Sequence, residues 1–262
     1  MRAILLAILF LVAPAWATLP LQQWISRERL RLKFGGEHVT RQMRDVIGQG
    51  MMIGLLAGFR GVVADFLWIQ SHSDWEKKQW FQQYNKMQMV TLLQPQSVLF
   101  WDAGAWHMAW NIGYAERTDT NNATLAQGIK RELVWHERAR QFLLRGLENL
   151  PNRYELYFKL GWLYDQKFKN PCLAAEQYAK AASFTDAPAY IARMHCRKLA
   201  ECGKYSEAYQ CWKQLLLQDP RHQNPSARRI LEREIRRVEN VLNIPDTQRI
   251  FPNQMTQPEP AR

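Results

Sequence analysis

A spacing in the second half of the chain limits its fold more than any other feature. Ala139, Ala174 and Ala208 stand 35 and 34 residues apart, and a small or apolar residue follows each by seven positions: Gly146, Ala181 and Leu215. Pro151 and Pro220 close two of the three units, twelve positions after the alanine. A fixed period in the mid-thirties means one supersecondary unit repeated and stacked. Small residues are needed where the two helices of a hairpin cross closely, and positions seven apart lie on one helix face. The period therefore predicts a stacked array, and the lack of any run of alternating β-branched residues makes an all-α reading of it. It also turns the search for function from a catalytic cleft to a surface built by stacking.

Composition agrees with a folded chain. Hydrophobic residues make up 47% and charged residues 23% of the 262, which excludes wholesale disorder. Helices are expected over 64–74, 80–93 and 97–116. After a polar turn at 119–123 the helical pattern resumes towards Leu133 and runs through Leu147. Two further hairpins follow, 154–169 with 173–184 and 189–201 with 205–218. Asn224, Pro225 and Ser226 form a good helix start. Ile230, Leu231, Ile235, Val238 and Leu242 then supply one apolar face, so 221–243 reads as the polar-backed cap of an array. Residues 244–262 are proline-rich and polar, and are expected to be disordered.

The first 17 residues read as a secretory signal peptide. Arg2 is the positive start, Ala3 to Val12 the apolar region, and Ala15-Trp16-Ala17 the cleavage site. The run is shorter than the ~20 residues of a spanning helix, although apolar residues continue to Leu21 and leave an uncleaved membrane anchor open. An exported protein of the bacterial periplasm or cell envelope is expected. Residues 18–60 form a basic lead-in with arginines from Arg27 to Arg44, then an apolar stretch from Val46 striped by Gly50, Gly54 and Gly58. Such a stripe lets helices approach closely. The stretch is too short to span, so it reads as a buried helix on the first hairpin, with insertion into a membrane surface as the alternative.

A net charge of +11 favours polyanions or an anionic membrane surface, or is simply a solvated basic surface. No nucleic-acid fold signature is present, so no nucleic-acid partner is expected. Export gives meaning to the four cysteines. In stacked hairpins Cys172 and Cys202 fall on adjacent inter-helix turns, and Cys196 and Cys211 on the two helices of one hairpin. Those pairings stand beside a second reading, free buried thiols packed as small hydrophobes. Glu132 and His136, four apart, could hold a metal only with a third ligand such as His107. At that spacing they read instead as a surface pair that stabilises its helix. No cofactor, metal or catalytic residue is expected.

The repeat resembles the tetratricopeptide family, a 34-residue helix-turn-helix solenoid. The best unit runs from Ala189 to Pro220, with Gly203 and Tyr205 at the turn, Ala208, Trp212 and the closing Asp219-Pro220. The unit before it carries Tyr157, Leu160-Gly161, Tyr164, Ala174, Tyr178 and Ala181, with one extra residue in its turn and Asp186 where a closing proline is common. Trp101, Gly104-Ala105, Ala139, Leu143, Gly146 and Pro151 fit a third unit, split by an insertion near 117–134. Ala64 to Pro95 is a degenerate first one. The resemblance covers 61–220, three to four repeats. Gly58-Phe59-Arg60-Gly61 with Ala64-Asp65-Phe66-Leu67-Trp68 is also similar to a stretch of uncharacterised exported bacterial proteins with such repeats.

The resemblance implies that the first helix of each hairpin lines a concave groove for peptides or protein segments. Carried over position by position, that face is Trp68, His72 and Trp75, then Asp102, Trp106 and Trp110, then Phe158, Lys159 and Trp162, then Tyr190, Arg193 and Arg197. Exposed Trp, Tyr and Arg make binding hot spots, because each joins a large contact area to a polar handle. A tryptophan stripe at helical spacing also suits a core. The expected function is a non-catalytic scaffold or adaptor of the cell envelope that holds a protein partner in this groove. The alternative is a binder of polyanion or cell-wall glycan, with Trp stacked on sugars and Arg or Lys meeting acidic groups.

Overall fold

The computed structural model describes residues 58–122 and 124–252. The signal segment, the basic lead-in and the glycine stripe as far as Ala57 lie outside the described residues, as do 253–262. Helix α1 spans Arg60–Glu76 and α2 Trp80–Leu93. Helix α3 opens as Val98–Trp106, widens to a π-helix over His107–Ile112 and returns to α geometry over Gly113–Thr118. Helices α4 (Leu125–Asn149), α5 (Tyr154–Gln166), α6 (Pro171–Ala182), α7 (Ala189–Glu201), α8 (Tyr205–Gln218) and α9 (Pro225–Val241) follow. No strand occurs among the described residues, so the chain is all-α there.

Local chemistry starts these helices where it should. Thr124, Asn170 and Asn224 each accept a hydrogen bond from the backbone N–H three residues on, at 3.2, 3.0 and 2.8 Å. Such caps satisfy donors that a helix start leaves orphaned. Pro171 and Pro225 occupy the first turns of α6 and α9, where the missing N–H costs nothing. Gly203, at φ +83°, turns the chain between α7 and α8 without the strain of a side chain.

Packing runs in chain order. Helix α1 packs on α2, α3 on α4, α5 on α6, α6 on α7, α7 on α8 and α8 on α9, while α5 also touches α3 and α4. Gly161 shows why small residues stand at the crossings: a Cβ there would come 2.8 Å from the Tyr178 ring of α6. One apolar core runs from Met87 through Trp101, Trp135, Phe142 and Leu160 to Ile191. A second gathers Cys196, Ala208 and Trp212 with Leu231, Ile235 and Val238 of α9. Disulfides join Cys172 to Cys202 and Cys196 to Cys211. The first links the first turn of α6 to the end of α7, the second the two helices of the α7–α8 hairpin.

The stretch near 117–134 is largely helical, with α3 running to Thr118 and α4 starting at Leu125. One expectation needs correction: the start of the tail is not disordered. Residues Asp246–Gln248 form a 3-10 turn, and Ile250 and Phe251 pack on the second core. The Ile250 N–H donates to the buried Glu239 carboxylate at 2.8 Å, and Arg249 Nε donates to the Ile244 carbonyl at 2.8 Å. A buried carboxylate needs donors, and this segment brings one.

Candidate functional site

The odd-numbered helices pass side chains to one another along the array, and the expected groove residues are among them. At the first step, Trp68 of α1 packs against Phe100 (ring centroids 5.2 Å apart) and His107 (6.3 Å), and Trp75 also meets His107 at 6.4 Å. His72 stacks on Trp75 at 5.3 Å and stays exposed. Trp106 turns an edge to His107 and keeps 39% of its surface exposed. Burial first, and the neighbouring His72 second, lower the His107 imidazole below its ordinary pKa. A neutral ring among tryptophans follows, because an imidazolium there would be desolvated.

The second step joins α3 to α5. Trp110 and Trp162 stack almost parallel, 4.4 Å apart with planes 18° from each other. Lys159 Nζ lies 5.4 Å from the Trp162 ring centre and Lys167 Nζ 5.1 Å from that of Trp110. Lys159 also pairs with Asp102 at 3.1 Å. The paired indoles are worth about 1 kcal/mol beyond their area, and the half-exposed ion pair adds up to about 1 kcal/mol. Four of the expected residues thus form one knot.

Further along, Phe158 of α5 meets Tyr190 of α7 edge to face at 5.8 Å, and Tyr190 remains exposed. Lys198 of α7 reaches Asp165 of α5 at 2.7 Å. The last step is basic. Arg197 of α7 pairs with Glu234 of α9 at 3.3 Å. Arg193 has its pKa lowered, first by burial and then by the like charge of Arg197. The twelve expected residues therefore fall into three groups. The Trp68–Trp75–Trp106 cluster stands at one end, the Trp110–Trp162 knot in the middle, and Tyr190, Arg193 and Arg197 at the other end.

Several participants had no reading of this kind in the sequence. In the sequence His107 offers itself only as a third metal ligand, yet it sits among Trp68, Trp75 and Trp106. Lys167, Asp165 and Lys198 carry no such reading in the sequence, although Asp165 stands three and seven positions after Trp162 and Phe158. Glu132 and His136 are not a surface pair. Both are buried, His136 Nε2 lies 3.5 Å from Glu132 Oε1, and Arg117 holds the other carboxylate oxygen at 3.2 Å. Burial, then the Lys167 charge, lowers the His136 pKa. Gly113 makes the place: a Cβ on it would come 3.3 Å from His136 Nε2. Among the described residues no three His, Cys, Asp or Glu side chains converge as metal ligands, and no helix is long and apolar enough to cross a membrane.

No family model matches the chain, and no curated protein matches it.

Proposed function

We propose that this chain is a tetratricopeptide-like solenoid of three to four hairpins capped by α9, exported to the cell envelope, and that it acts as a non-catalytic scaffold. It holds a protein or peptide partner along the face where α1, α3, α5 and α7 meet in turn. The supporting observation is the continuity of that face: an aromatic end with Trp106 and His72 open to solvent, a fixed middle at Trp110–Trp162, and a Tyr190–Arg193–Arg197 end. An apolar anchor of the partner fits against Trp106, and its acidic or hydrogen-bonding groups meet Tyr190 and Arg197. Pre-fixed aromatic side chains lose little entropy on binding, which favours them as hot spots.

Glycan stacking is the weaker reading. Each indole of the central pair has the other on one side and a lysine cation over it, so neither offers a free face to a sugar. The test is crosslinking in intact cells followed by recovery of the tagged chain. Trp106→Ala and Trp162→Ala should each reduce recovery of the crosslinked partner several-fold while the helical signal is retained. Unchanged recovery in both variants would remove the groove assignment.

A further inference from the structure

We infer that α9 carries a second docking surface, a trough of arginines fitted to an acidic segment of a protein partner. Arg229, Arg233, Arg236 and Arg237 line the trough together with Glu232 and Asn240. Positions 229, 233, 236 and 240 recur at steps of three and four, so they form one stripe along the helix. It lies away from Leu231, Ile235 and Val238, which are buried in the second core.

The stripe is short of counter-charge. Three guanidinia share the single carboxylate of Glu234: Arg197 at 3.3 Å, Arg233 at 3.3 Å and Arg237 at 3.8 Å. Glu232 is engaged by Arg228 at 3.2 Å. Arg236 lies over the Phe251 ring at 5.7 Å, and Arg229 forms no ion pair among the described residues. Like charges at helical spacing destabilise the helix that carries them, and an anion laid along the stripe relieves that repulsion. The planar fork of arginine takes carboxylate or phosphate through two parallel bonds.

The lining distinguishes the two. Glu232 and Asn240 place acceptor oxygens inside the trough. A polypeptide can set side-chain donors (Ser, Thr, Gln or Lys) against them beside its carboxylates, whereas a phosphate polymer or a layer of lipid phosphates brings acceptors alone. An acidic helix with carboxylates three and four residues apart also repeats at the ~1.5 Å rise per residue of α9 itself. This surface goes beyond the groove reading, and the two fail separately.

The full chain is titrated, by fluorescence anisotropy, with a labelled helical peptide bearing glutamates at three- and four-residue steps. Polyphosphate and phosphatidylglycerol vesicles are run in parallel. The peptide should bind, and should weaken as ionic strength rises. The R229Q/R233Q/R236Q variant should bind it at least about tenfold more weakly. R229Q alone removes no ion pair among the described residues, so it decides the matter if the triple variant loses helicity; a loss of about threefold is expected. W106A/W162A should leave peptide binding unchanged, which separates this surface from the groove. The proposal is overturned if the peptide does not bind, if R229Q and the triple variant bind it as the parent does, if W106A/W162A weakens it equally, or if polyphosphate or vesicles show the stronger dependence on these arginines.

Discussion

From Arg60 to Asn149 the helices are unequal in length, rich in tryptophan and free of any covalent tie among the described residues. From Tyr154 to Gln218 they are evenly cut, at 12 to 14 residues, and bound by Cys172–Cys202 and Cys196–Cys211. The first region holds itself by filling space. Phe142 sits where a Cβ on Gly104 would strike it at 2.8 Å, and Trp101 lies 3.0 Å from the corresponding point on Gly146. It also contains the π-helix of α3, a geometry frequent at functional sites. The second region repeats one packing solution and adds cross-links. The difference teaches that regularity and specificity are divided along the chain. The uniform hairpins furnish rigidity, while the unequal ones carry most of the aromatic side chains left open to solvent.

The sharpest test of this contrast pairs two tryptophans. Trp212 is fully buried in the second core. Trp212→Ala should cost about 3–5 kcal/mol in urea unfolding. Trp106→Ala, at a partly exposed site, should cost less than about 1 kcal/mol and show its effect in partner recovery. Equal destabilisation by the two would mean that Trp106 is part of the core and that the contrast between regions is false.

Reduction of the disulfides comes next. In the loop-entropy account a closed loop of about 15 residues contributes about 3 kcal/mol, and the longer one slightly more. The two bridges span 15 and 30 residues. Dithiothreitol should therefore speed amide exchange in α6 to α9 while α3 and α4 stay protected. Exchange that accelerates evenly from α1 to α9 would show one cooperative unit, with the covalent ties serving both halves.

Much of the array was legible in the sequence where turn chemistry is strong. Helices α2, α7 and α8 begin and end at the expected residues, because Pro95, Gly203 and Pro220 stop the backbone from continuing. The cap at Asn224 is equally local. What could not be read depends on neighbours distant in sequence. The π-helix leaves no trace, since Trp101, Ala105, Met108 and Ile112 fit an ordinary helical period. Glu132 and His136 have the same spacing whether exposed or buried. The decisive fact is that Gly113 and Gly128 let α3 and α4 close over them, and those glycines were the available clue. The division of the tryptophans follows the same logic. Trp101, Trp135 and Trp212 are buried and Trp106 is not, but all four obey a helical spacing.

The smallest effect concerns how the regular half fastens its own end. Asp219 accepts from Arg221 Nε at 3.0 Å and Nη2 at 2.8 Å, and lies 3.2 Å from His222 Nδ1. Arg221 and His222 in turn bind the carbonyls of Ala187 and Ala189 at 3.1 and 3.2 Å, tying the end of α8 to the start of α7. The Arg221 hydrogen bonds hold the Asp219 carboxyl at about 2, below its ordinary value. A depressed folded-state pKa means that the unfolded chain binds the proton first. The carboxylate's contribution is therefore complete above the unfolded value of ~3.9 and is lost as pH falls towards about 2. Asp219→Asn should flatten the fall in urea midpoint across that acid window and change the neutral midpoint only modestly. Amide exchange at α7 and α8 should follow the same pH dependence in the parent, with α3 and α4 indifferent to it. Parallel acid profiles for parent and variant would show that the α7–α8 end is held by apolar packing and the disulfides alone, which would bring the fastening of the regular half closer to that of the tryptophan-rich half.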